Sequence, residues 1–182
     1  GVTTRYFNAA KVDASGVDLE AKYNMDTSFG NATFAVNHAN IMKYEIPNGS
    51  GGMTDVVGRF NYNNFARSMP ENKTIISAQL NSGNHQLAAF YRMISDYETQ
   101  RPLDAIATSR GFKQEIGEFN TLDLRYNYSF ELNESNVQLS FGINNVTDED
   151  APLVFDATNW AYDPKHHDVR GKMMYFGIKL SK

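Results

Sequence analysis

The 182-residue chain contains no cysteine, and that one absence removes three readings together: a disulfide scaffold, a thiolate metal site and a thiol nucleophile. Hydrophobic runs are equally scarce. The longest, Leu87 to Tyr91, is five residues, far short of the roughly 20 apolar residues that a transmembrane helix needs. There is one Trp, and the five prolines, Pro47, Pro70, Pro102, Pro152 and Pro164, are confined to polar connecting stretches. Charge of one sign is never gathered into a block: 17 basic and 21 acidic residues give a net charge of -4, which excludes the basic footprint of a nucleic-acid binder. The chain opens on a Gly followed by the strand-like Val2 to Phe7, with no basic n-region and no apolar h-region. No signal peptide is read there, which leaves a cytoplasmic protein or a mature or excised piece of something longer.

What is abundant is Tyr, Phe and Asn, with 10 Tyr and 12 Phe, a mixture suited to strands and turns. Its arrangement has period two. Val17, Leu19, Ala21, Tyr23 and Met25 alternate with Asp18, Glu20, Lys22, Asn24 and Asp26, so one face of that strand is apolar and the other polar. Leu122 to Phe130, Val137 to Asn144 and Met174 to Leu180 repeat the pattern, and 32 to 46, 73 to 81 and 85 to 98 carry weaker versions. These make seven expected strands. Short polar turns (Asp26 to Asn31, Asn81 to Asn84, Glu131 to Asn136) alternate with long segments near 47 to 72, 99 to 117 and 147 to 167. Short turns at one end and long loops at the other are the signature of an up-and-down meander through a membrane. Charges at consecutive inward positions and Tyr and Phe near strand ends agree with a watery lumen and an interfacial girdle. The competing reading is a soluble antiparallel sheet with one face on a core, a β-sandwich or small barrel used as a binding module.

The C-terminal third carries a more specific set of words. Phe119-Asn120-Thr121-Leu122-Asp123-Leu124-Arg125-Tyr126 is followed by Phe141-Gly142-Ile143-Asn144-Asn145-Val146-Thr147-Asp148 with Pro152, then Tyr162-Asp163-Pro164 and Val169-Arg170-Gly171-Lys172. In this order they resemble the closing strands of a TonB-dependent outer-membrane receptor, and Asn8-Ala9-Ala10 with Gly16-Val17-Asp18-Leu19-Glu20 resembles an earlier strand of that family. The resemblance implies an all-β antiparallel up-and-down meander of about seven strands, a segment of a 22-stranded transmembrane β-barrel of the plugged transporter kind. It implies that residues 1–182 are one C-terminal barrel segment, with the plug domain and most of the barrel absent. The function implied is TonB-dependent uptake of a scarce solute (a siderophore, vitamin or oligosaccharide) across the bacterial outer membrane. The implied partners are outer-membrane lipid, the TonB complex through the absent N-terminal region, and a small-molecule or oligosaccharide substrate. The chain departs from the pattern at Val146, Thr147 and Lys172 and lacks the family's terminal aromatic after Leu180-Ser181-Lys182, so the native C-terminus is expected beyond Lys182.

Site-like features are few. His166 and His167 lie beside Asp163 and Asp168, but adjacent histidines on a strand point to opposite faces, and no metal site is assigned. Asp148, Glu149, Asp150 and Asp156 read as a solvated acidic loop rather than a calcium site, having no EF-hand spacing. Asn48-Gly49-Ser50-Gly51-Gly52 lacks the Lys-Ser/Thr and helix of a phosphate cradle and reads as a flexible loop tip. Asn144, Asn145 and Asp148 are expected to bond free backbone groups where a strand leaves the membrane, and Gly171 to permit a bend before the last strand. No catalytic constellation and no cofactor motif is present, so the chain is read as a non-enzyme. The substrate-contact candidates are Trp160, Tyr162, His166 and His167, with Tyr44 assigned to the interfacial belt.

Overall fold

A computed structural model describes residues 11–61, 64–155 and 161–182. Seven long strands run in line: β1 (Asp13–Thr27), β2 (Gly30–Pro47), β6 (Asn72–Ser82), β7 (His85–Ile94), β10 (Phe119–Leu132), β11 (Ser135–Asn144) and β12 (Met173–Ser181). Between them come β3 (Met53–Asp55), β4 (Arg59–Asn61), β5 (Arg67–Met69), β8 (Tyr97–Thr99), the short helix α1 (Ala105–Ser109) and β9 (Glu115–Ile116). Each long strand pairs antiparallel with its neighbour in the order β1-β2-β6-β7-β10-β11-β12, and β3 adds to the far end of β2. β1 and β12 stand at the two ends of this order and do not pair with each other. The expected meander is therefore present, as an open wall.

The short turns are local chemistry. Asn133 and Glu134 have φ of 49° and 64°, the mirror-image turn whose twist matches that of a hairpin. At the first turn Gly30 takes φ 136°, and a Cβ there would sit 2.0 Å from the Asn81 carbonyl oxygen of β6, so only glycine fits.

Register turns the alternation of single strands into rows across the sheet. Tyr23, Phe34, Ala78, Ala89, Leu124, Ile143 and Met174 form one such row, and Met25, Ala32, Leu80, Leu87, Tyr126, Phe141 and Phe176 the next. Among the described residues nothing covers this face: Tyr23 is 64% exposed, Phe176 66% and Leu180 68%. Of the thirteen side chains that the alternation sends outward on β10 (Leu122 to Phe130), β11 (Val137 to Ile143) and β12 (Met174 to Leu180), Val137 is the buried one, at 5%. The opposite face is polar and cross-linked. Asn31 Nδ2 donates to Asp26 at 3.0 Å, Gln86 Nε2 to Asn81 at 2.9 Å and Asn127 Nδ2 to Gln86 at 2.8 Å, a row of amides near the short-turn end. Higher on the same face Tyr175 lies over Gly142, where a Cβ would meet the ring at 2.1 Å, and its hydroxyl accepts from Arg125 Nε at 3.1 Å.

Two expectations need correction. The stretch 85 to 98 is two elements in different sheets. β7 ends at Ile94, where Ser95 N bonds Asn72 O and Ser95 Oγ accepts from Asn72 N, each at 3.0 Å, and the chain then leaves the wall as β8. The long segments are also not bare loops. They build a second sheet, β5-β4-β8-β9, over a small core of Phe60, Tyr97, Ile116 and Val154, beside a second cluster of Ile46, Val56 and Ala66. Tyr44 packs against that second cluster. The Gly-rich tip at 48 to 52 is tied down by Asn48, whose Oδ1 accepts from Ser50 N at 3.1 Å and Gly52 N at 2.9 Å.

Candidate functional site

The polar face of the wall and the segment between β11 and β12 meet around a cavity of about 290 Å³. The alternation brings Arg92 and Ile94 of β7, Phe119, Thr121 and Asp123 of β10 and Asn144 of β11 to its floor. Its roof is the segment between β11 and β12, which contributes His166, Asp168, Arg170 and Gly171.

The roof is fixed at both of its roots. Asn145, 6% exposed with φ 50°, donates from Nδ2 to Glu149 O at 2.9 Å and accepts at Oδ1 from Glu149 N at 2.9 Å and Thr147 Oγ1 at 3.3 Å. Its own N–H donates to Asp123 Oδ1 at 2.9 Å. At the other root, Asp148 Oδ1 accepts from Lys172 N at 2.6 Å, while Gly171 holds φ 64°, where a Cβ would lie only 2.9 Å from that oxygen. The exit bonding expected of Asn145 and Asp148 and the bend expected of Gly171 are thus one device: an Asx-type loop closed onto the start of β12.

The tip of the roof is held by a buried carboxylate. Asp163, 1% exposed, accepts from Tyr97 Oη at 2.7 Å and Lys165 N at 3.0 Å, and its carbonyl accepts from His167 N at 2.9 Å. Burial and the adjacent Asp163 carboxylate hold the Tyr97 phenol well above its ordinary pKa, so it stays a donor. His167 lies between Phe119, with ring centres 5.1 Å apart, and Tyr97, at 5.9 Å, and burial pushes its pKa down. His166 turns elsewhere, its Nε2 3.5 Å from Ser68 O of β5, where Lys165 Nζ also donates at 3.3 Å. Burial first, then the nearby Lys73, lowers the His166 pKa to about 4, and the ring is neutral at physiological pH. The turn therefore ties wall strand β10 to β8 and β5.

The charges facing the cavity come in pairs. Arg92 is ion-paired with Asp123, whose other oxygen holds Asn145 N. Arg170 clasps Asp168 through Nε at 2.9 and 3.0 Å and Nη2 at 2.6 Å, and that clasp holds the Asp168 carboxyl below its usual range.

Of the four residues selected from sequence, Tyr162, His166 and His167 come together along an open cleft on the turn, and Trp160 lies outside the described residues. The two histidines sit in a turn rather than a strand, and they diverge because His167 is captured by Tyr97 and Phe119. Among the described residues no group of three or more His, Asp or Glu side chains is placed to hold a metal. Asp148 is engaged by the backbone of Lys172, and Asp156 lies outside the described residues. Sequence reasoning passed over Arg92, Asp123, Arg170 and Tyr97 as site residues. The stretch 85 to 98 carries only a weaker alternation that gives Arg92 no facing, and the pairing with Asp123 spans the long β7–β10 connection and had no local signal.

The model of the family described as TonB dependent receptor-like, beta-barrel matches residues 1–146 of the 182. The match takes in the wall through β11 and stops short of Tyr162-Asp163-Pro164 and Arg170-Gly171-Lys172. No curated protein and no solved structure matches the chain. An open antiparallel meander, apolar on one face and hydrogen-bonded polar on the other, together with a family match over four-fifths of its length, places the chain in the TonB-dependent receptor-like β-barrel family, a family of bacterial outer-membrane receptors and transporters.

Proposed function

We propose that this chain is part of the wall of a receptor that carries a scarce small solute across the bacterial outer membrane by TonB-dependent uptake. The observation that supports it best is the two-faced sheet. Uncovered apolar rows cross all seven strands, and a protein whose wall faces water would not leave Phe176 and Leu180 two-thirds exposed in one continuous band. Lipid covers such a band, and the amide row behind it faces a watery lumen. In this reading the residues 1–182 supply wall and upper loops, and the plug and the TonB contact belong to regions outside them. The wall itself performs no chemistry. The soluble-sandwich reading requires a second layer over the apolar face, whereas the upper sheet packs at the long-loop end around its own core of Phe60, Tyr97, Ile116 and Val154.

Single-cysteine labelling tests the reading, and the absence of native cysteine makes it clean. With the protein in lipid vesicles, a polarity-sensitive dye at positions 124, 141 and 176 reports an apolar setting and is quenched from within the bilayer. The same dye at 127 and 140 is quenched by aqueous iodide. Water-like emission at all five positions refutes the membrane wall.

A further inference from the structure

We infer that the cavity beneath the 163–171 turn is a subsite for a small organic carboxylate with an apolar body, and that Arg92 and Arg170 are the residues that recognise it. Arg92 and Arg170 both line the one cavity, one at the floor and one at the roof. Each is oriented by an aspartate, Arg92 by Asp123 and Arg170 by Asp168. A guanidinium fixed by one carboxylate still has N–H groups on its other edges, and its planar fork matches a second planar oxyanion better than a point charge does. Each oxygen of the Asp123 carboxylate already has a partner, Oδ2 in Arg92 and Oδ1 in Asn145 N.

The charged side chains that line the cavity, Arg92 and Arg170 with Asp123 and Asp168, cancel, so recognition rests on the geometry of the guanidinium forks and not on net charge. Ile94, Phe119 and Met173 complete the lining and suit an apolar body. The volume of about 290 Å³ equals that of roughly ten water molecules, which sets the size of the solute. This subsite rests on the receptor reading only in requiring that the polar face meet water.

The test compares benzoate, its neutral isostere benzamide and inorganic phosphate by isothermal titration against the full chain in detergent micelles. Benzoate is expected to bind saturably, and benzamide at least about tenfold more weakly. Arg92→Gln and Arg170→Gln are each expected to weaken benzoate about ten- to a hundredfold, the effect of losing a hydrogen bond to a charged group. Arg125→Gln, on the same face but bonded to Tyr175, is expected to change it by less than about twofold. Equal binding of benzoate and benzamide, tighter binding of phosphate than of benzoate, a loss at Arg125 matching that at Arg92, or no binding by a chain whose strand circular dichroism is intact would each overturn the inference. The comparison of ligands on the unaltered chain holds even where a variant fails to fold. Failure here with dye labelling that still reports a lipid-facing wall removes the subsite and leaves the receptor reading standing.

Discussion

Replacing Asn145 by Ala separates a structural asparagine from a merely polar one. Asn145 makes two side-chain bonds to the backbone of Glu149, through its Nδ2 to the carbonyl and through its Oδ1 to the N–H, both at 2.9 Å. Each such bond contributes about 0.5–1.5 kcal/mol net. Its φ of 50° lies in the left-handed region, which Asn tolerates and Ala occupies at a cost of about 1–2 kcal/mol. Together the substitution should destabilise the root of the β11–β12 segment by about 3 kcal/mol, a factor of roughly a hundred in the local opening equilibrium. Asn144→Ala is the control. That residue lines the cavity floor, has no positive φ, and should cost no more than about 0.5 kcal/mol. The measurement is amide hydrogen exchange in micelles at Asp148, Glu149 and Lys172, whose N–H groups donate to Asn145 O, Asn145 Oδ1 and Asp148 Oδ1. Exchange at Glu149 should rise about a hundredfold in the Asn145 variant and remain near the native rate in the Asn144 variant. Equal rates in the two variants would refute the assignment of the Asx-type loop to Asn145.

Three further outcomes follow from the geometry. Leu124→Arg, which places a cation in a row that faces lipid, should cost about 2–4 kcal/mol near the midplane while Asn127→Arg costs far less, read as the shift in urea midpoint in lipid vesicles; Asp123 is an unsuitable polar comparison because it is bonded to Arg92 and Asn145. Tyr97→Phe leaves the Asp163 carboxylate, 1% exposed, without its hydroxyl donor, and should cost about 1.5–3 kcal/mol, seen as faster proteolysis or exchange across residues 162–168 with the wall strands unchanged. The His166 pKa of about 4 lies below its ordinary 6.5, so an opened turn binds a proton that the closed turn rejects: the closed turn is fully stable above about pH 6.5 and weakens as pH falls toward 4, with His167 acting in the same direction. His166→Gln should flatten most of that dependence in exchange rates measured between pH 4 and 7, and an unchanged slope would refute the burial of His166.

The wall and its facing were written in the sequence because both are local. A period of two fixes which side chains share a face of a strand, and the short turns at Ser28-Phe29, Gly83-Asn84 and Asn133-Glu134 leave one antiparallel register for β1–β2, β6–β7 and β10–β11. The exit chemistry of Asn145 and Asp148 was legible for the same reason, since an Asx-type loop closes over four residues. The registers of β2–β6, β7–β10 and β11–β12 were not, because each spans a connection of two dozen residues or so that imposes no alignment. The long-range contacts of the candidate site depend on those registers and on how the connecting segments fold over the wall. Together the two set Arg92 beside Asp123, carry Tyr97 out of the wall to meet Asp163, and bring Lys165 and His166 to the carbonyl of Ser68, 97 and 98 positions away in the chain. A sequence displays the types of such residues but not their meeting, because a contact between distant positions is decided by the packing of the upper sheet on the rim of the wall and not by any pattern within either segment.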